Sequence, residues 1–182
     1  MRKLQTTETR ERDGISASGS PRDSKTESEM KDITPAIIIA IDPGASGGIA
    51  WLSKDGVDTY DMPATAWGLA NLLMGIGGAK NSIVQVWIED VPMARYKNPS
   101  SGMKVNRHAG MCEGVATALG FEIRLVQPQQ WQKALKLGVK ASHGANWKRH
   151  LQQEAQRRTP NTEITQKTAD AVLILHYGMQ QK

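Results

Sequence analysis

Residues 37–51 read IIIAIDPGASGGIAW. Ile37, Ile38, Ile39, Ala40 and Ile41 form an unbroken apolar run with no polar alternation, the pattern of a strand buried on both faces. The run stops at Asp42. A carboxylate there is costly to bury without partners. Pro43-Gly44 and Gly47-Gly48 follow, residues that suit a tight turn. Asp42 therefore either caps that turn or holds a cation or a substrate group.

Reading outward, Gly48–Ser53 is a second strand. Lys54-Asp55-Gly56 is a hairpin turn, and Val57–Asp61 is a third strand, so the first three strands predict an antiparallel meander. The stretch MPATAWGLANLLMGI, 62–76, reads as a helix, and SIVQVWIE, 82–89, as a strand ending at Glu89. Residues 92–104 read as loop, 105–119 as a helix and 121–126 as a fifth strand. PQQWQKAL begins with a proline that suits a first helical position. NWKRHLQQEAQRR is a further helix, and TQKTADAVLILHYG is a last one closed by Gly178. The order β-β-β-α-β-α-β-α-α-α predicts an α/β fold, a mixed sheet with helices on its faces. Residues 1–34 lack periodic apolar positions and are expected to be a disordered extension. The folded domain is expected over 35–182.

The chain has 182 residues and one cysteine, Cys112, so neither a disulfide framework nor a cysteine zinc site is expected within it. No apolar run reaches the roughly 18 residues of a membrane span. The N-terminus lacks the apolar core of a secretory signal, and Glu8, Glu11 and Asp13 argue against an acid-poor transit peptide. The net charge is +5, unevenly spread. Residues 35–94 hold two basic and six acidic side chains, and residues 95–182 hold fourteen basic and five acidic. That split suits a polyanion held by the basic part, as well as an ordinary basic surface.

Asp170 lies inside the apolar run of the last helix, a third acid out of pattern. Each acid has a plain structural reading: Asp42 as a turn residue, Glu89 paired with an arginine, Asp170 on an exposed helix side. Together, three carboxylates converging from distant parts of the chain suit a hard divalent cation such as Mg²⁺. Such ions activate water and stabilise the leaving oxygen in phosphodiester hydrolysis.

The blocks IAIDPGASGGIAWL, VWIEDVP, VQPQQWQKAL and KTADAVLILHYG resemble the successive blocks of RuvC-type Holliday junction resolvases, most nearly the phage and organellar branches. The resemblance covers about residues 36–179. It implies an RNase H-like five-stranded sheet and a homodimer that cuts four-way DNA junctions. It also implies one or two Mg²⁺ or Mn²⁺ ions per subunit, held by Asp42, Glu89 and Asp170, and a bacterial or phage-infected cytoplasm. Bacterial members place a second acid or a histidine one helical turn before the last aspartate; here that residue is Lys167. On a helix it would lie beside Asp170 and steady the scissile phosphate, or it is a surface lysine. The helix 105–119, rich in small residues, is by the same resemblance the dimer interface.

Arg95, Lys97, Lys104 and Arg107, interleaved with Ser and Asn before a helix start, have phosphate-contact chemistry. Lys148 and Arg149 read as further DNA backbone contacts. His143 and His150 read as polar surface or DNA-facing residues, and Cys112 as a residue with no catalytic role. Other functions remain open at this point. DPGASGG also resembles the phosphate loop of actin-like ATPases, whose two-domain cleft needs far more chain. A non-catalytic junction binder and a nuclease on RNA–DNA hybrids are the remaining alternatives.

Overall fold

The central strand β1 (Ile37–Asp42) has Ile39, Ala40 and Ile41 fully buried, as its unbroken apolar run requires. In the computed structural model, residues 37–77, 83–90, 92 and 98–181 are described, all within the unit Ile33–Lys182. The extension 1–34 lies outside them.

β1 pairs antiparallel with β2 (Gly48–Ser53), which pairs antiparallel with β3 (Gly56–Asp61). On its other side β1 pairs parallel with β4 (Val84–Glu89), and β4 parallel with β5 (Glu122–Val126). The sheet order is β3-β2-β1-β4-β5. This is the mixed five-stranded sheet of an RNase H-like fold, as expected.

Two apolar layers cover the sheet. Ile39, Ile41, Ile49, Val86 and Ile88 face helices α1 (Ala66–Gly77) and α2 (Pro99–Ala118), meeting Leu69, Leu73, Cys112 and Ala116. Ala40, Ala50, Trp87 and Val126 face the other layer. That layer is made by α3 (Pro128–Ala134), α5 (Trp147–Arg158) and α6 (Ala169–Gly178), with a short α4 (Lys140–His143) between α3 and α5. Side chains alternate between the faces, so Asp42, two residues beyond Ala40, and Glu89, two beyond Trp87, belong to the α6 side.

Three expectations need correction. Residues 99–104, read as loop, are the first turns of α2. Asn98 caps it, its side chain accepting from the Ser100 N–H at 3.0 Å, and Pro99 at the first helical position starts the helix. The last helix begins at Ala169, not 165, because the Thr165 and Thr168 hydroxyls bond back into a turn. Gly178 lies within α6. Its need for glycine is close packing: a Cβ there would stand 2.8 Å from the Trp87 ring.

Candidate active site

The register places the strand-end residues in one row. Asp42 pairs with Gly48, and Gly48 with Asp61. Ile41 pairs with Ile88, which sets Asp42 beside Glu89, and Glu89 pairs with Val126. The row Asp61, Gly48, Asp42, Glu89, Val126 therefore crosses all five strands on the α6 side. Neighbouring strands lie about 4.8 Å apart, so Asp42 and Glu89 are one strand apart, and Asp61 is about 10 Å from Asp42.

The glycines beyond Asp42 exist for close approach. A Cβ on Gly47 would stand 2.0 Å from the Asp42 carbonyl oxygen. A Cβ on Gly48 would stand 2.8 Å from the Lys167 carbonyl oxygen and 3.0 Å from Thr168 Cα. Gly48 thus lets the start of α6 settle onto the row, which brings Asp170, in the first turn of α6, toward Asp42.

Glu89 is buried, 7% exposed, and the Trp131 indole N–H donates to its Oε1 at 3.0 Å. Trp131 reaches it because β5 ends at Val126 and α3 starts at once. Pro128 opens that helix, and Gln130 folds back so that its Oε1 accepts from the Gln127 N–H at 2.8 Å. The Asp90 N–H to Val126 carbonyl bond, 2.9 Å, holds the backbone just past Glu89.

Asp42 feels the other two acids. The Asp42 carboxyl is held well above the ordinary range, first by burial, then by the charges of Glu89 and Asp170; Lys148 opposes this. Burial also raises Asp170, again against Lys148. Lys148, in the first turn of α5, is therefore, among the described residues, a cation whose charge reaches Asp42 and Asp170. The sequence had placed it among backbone contacts to DNA, with no sign of nearness to the acids.

Lys167 lies at the same sheet edge, with its side chain turned to Asp61. It lies in the turn before α6, not on the helix face beside Asp170, and its Nζ pairs with Asp61 Oδ2 at 2.6 Å. Lys104 and Arg107 are exposed on α2, next to Val105, whose Cγ2 borders the space at Gly44 at 4.0 Å. Arg149 is exposed beside Lys148. Arg95 and Lys97 lie outside the described residues. His143 and His150 stack on each other with ring centroids 3.9 Å apart, and Trp147 lies 5.5 Å from each. Cys112 is fully buried; burial, with the charges of Asp42 and Glu113, pushes its thiol up to about 12, which keeps it protonated and without nucleophilic use.

Among the described residues, no three His, Cys, Asp or Glu side chains stand close enough together to grip an ion as they are. The donor chemistry nevertheless fits a hard cation. Asp42, Glu89 and Asp170 are all-oxygen donors, and their mutual repulsion is what a divalent ion relieves.

No family model and no curated protein matches the sequence. Solved structures do. RuvC of T. thermophilus in complex with Holliday junction substrate is similar at 15% identity, over 79% of this chain and 96% of that one, with a TM-score of 0.54. Another Thermus thermophilus RuvC structure is similar at 17% identity, over 76% and 90%, with a TM-score of 0.51. The strand order, the helix layers and these likenesses together give the chain a RuvC-like fold.

Proposed function

We propose that this chain is a metal-dependent, structure-selective endonuclease that cuts four-way or otherwise branched DNA by phosphodiester hydrolysis. The observation that carries this reading is that Asp42 and Glu89 end adjacent parallel strands on the α6 side of the sheet, with Asp170 in the first turn of α6, and that the charges of Glu89 and Asp170 both raise the Asp42 carboxyl. Carboxylates desolvated against one another are characteristic of functional sites.

Asp42, Glu89 and Asp170 would hold Mg²⁺ or Mn²⁺. When bound, such an ion supplies an activated water and offsets charge on the phosphate. The chain's own groups do the rest. Trp131 fixes the Glu89 carboxylate. Lys148 places a positive charge beside Asp42 and Asp170, suited to draw in a phosphodiester and to stabilise the added negative charge as it is attacked. Lys104, Arg107 and Arg149 extend positive charge along the DNA backbone. Lys167, occupied by Asp61, is assigned no part in the reaction here. A homodimer, with α2 as its contact, would present two such sites to opposite strands. The RuvC of the first comparison is bound to a Holliday junction, which favours branched DNA over an RNA–DNA hybrid.

The reading is tested with a panel of end-labelled substrates in Mg²⁺: four-way junction, fork, matched duplex and RNA–DNA hybrid. Preferential cutting of the branched DNA supports it. Equal or greater cutting of the hybrid assigns the site to RNA–DNA hybrids instead.

A further inference from the structure

Trp67 is 74% exposed, whereas Trp87, Trp131 and Trp147 are each less than a tenth exposed. Tryptophan is normally mostly buried, so a ring presented to solvent needs a reason. The ring stands on a fixed platform. It is in the first turn of α1, where Thr65 Oγ1 accepts from the Gly68 N–H at 3.1 Å and the Leu69 N–H donates to the Thr65 carbonyl at 3.0 Å. Leu69 is fully buried. Two residues turn a helix by about 200°, so anchoring Leu69 in the core points Trp67 away from it.

The platform is tied to the carboxylate edge. The Met62 N–H donates to the Gly47 carbonyl at 3.1 Å, and Gly47 abuts Asp42. Five residues of chain from Met62 to Trp67 span at most about 18 Å, or roughly five base steps of about 3.4 Å. Tyr60, 55% exposed, precedes Asp61 of the terminal row on the same side of the molecule as α1.

The charge of this region selects the contact. Residues 62–77, which carry Trp67, hold no charged side chain. They offer a phosphate backbone no cation to pair with, whereas the face of a base carries no net charge and stacks on an aromatic ring. The exposed residues beside Trp67, namely Ala64, Thr65, Ala66 and Asn71, are small or polar, with Met74 two turns along. Among the described residues of α1, Trp67 is thus the exposed aromatic ring, with a small and polar surround in its own turn.

We propose that Trp67 is a stacking platform for an unstacked DNA base near the cut phosphate, with Tyr60 a second aromatic contact at the same corner. This rests on the nuclease reading of the carboxylate site.

The test uses four-way junctions carrying 2-aminopurine at successive positions up to five steps from the branch. They are bound in EDTA by wild type, Trp67→Phe and Trp67→Ala. Wild type and Trp67→Phe are expected to quench one position. Trp67→Ala should lose that quench and bind the junction roughly 5- to 100-fold more weakly, with unchanged affinity for matched duplex and unchanged thermal stability. Unaltered junction affinity and quench in Trp67→Ala would overturn the proposal. So would a smaller sedimenting species, which would assign the ring to contact between copies. Cleavage by the wild type in Mg²⁺ is scored separately: no cleavage with a Trp67-dependent quench removes the nuclease reading and leaves the platform standing.

Discussion

Asp42 and Asp170, both partly buried, retain protons to higher pH than ordinary aspartates, chiefly because their carboxylates are desolvated. The native state then binds more protons than the unfolded chain once pH exceeds the ordinary value of 3.8. Stability is therefore lost as pH rises from there through the raised values. Metal-free protein should melt at a higher temperature in mildly acidic buffer than at neutral pH, as scanning calorimetry across that range would show. Asp42→Asn removes a member of the repelling set and should stabilise the metal-free protein by about 1–2 kcal/mol. A lower melting temperature for that variant would mean that the carboxylate contributes structural bonds that outweigh the repulsion. Trp131→Phe keeps most of the ring's bulk and removes the N–H that holds Glu89. A roughly 10- to 100-fold loss of metal affinity or cleavage rate is expected, measured by metal titration of the folded variant. Asp42, Glu89 and Asp170 were legible in the sequence because each is a charge out of its apolar pattern. Trp131 was not, since a tryptophan on a helix reads as core until its N–H is seen to face a carboxylate.

At the scale of elements, the join between β2 and α6 decides whether the acids meet. Gly48 has no room for a methyl group against the turn before α6. Gly48→Ala should push that turn and Asp170 away from the row, costing about 1–3 kcal/mol in urea denaturation and most of the cleavage. Full stability with full activity would show that α6 does not depend on this close approach. The strands were readable from unbroken or alternating apolar runs and from the 54–56 turn. Helix boundaries were less so. Pro99 looks like a breaker, yet behind the Asn98 cap it begins a helix. Thr165 and Thr168 look helical by continuity, yet their hydroxyls close a turn. That turn removes Lys167 from the α6 face and gives it to Asp61, a partner 106 residues away in sequence. No local pattern announces such a pairing. An exposed pair of this kind contributes little, about 0–1 kcal/mol.

For the whole molecule, the acidic part and the basic part meet at the sheet edge. The acidic part supplies Asp42 and Glu89; the basic part supplies Asp170, Lys148 and the exposed cations of α2 and α5. The charge split was visible in the sequence, but which lysine reaches the acids was not, because that depends on how α5 packs beside α6. Branched-DNA affinity should fall steeply with salt, with log K linear in log salt. Removing Lys104 or Arg107 should shallow that slope by about one contact each, while Lys148→Ala should cut the rate at saturating DNA more than it cuts affinity. The central claim is that these three carboxylates form a hydrolytic site, and one measurement bears on it most directly. A four-way junction end-labelled on each strand is incubated in Mg²⁺ with wild type and with Asp42→Asn, after both are shown to bind it. Paired, symmetric nicks by the wild type and none by the variant are the predicted result. Junction binding by both without cleavage in Mg²⁺ or Mn²⁺ would contradict it and leave a junction-binding protein on a nuclease fold.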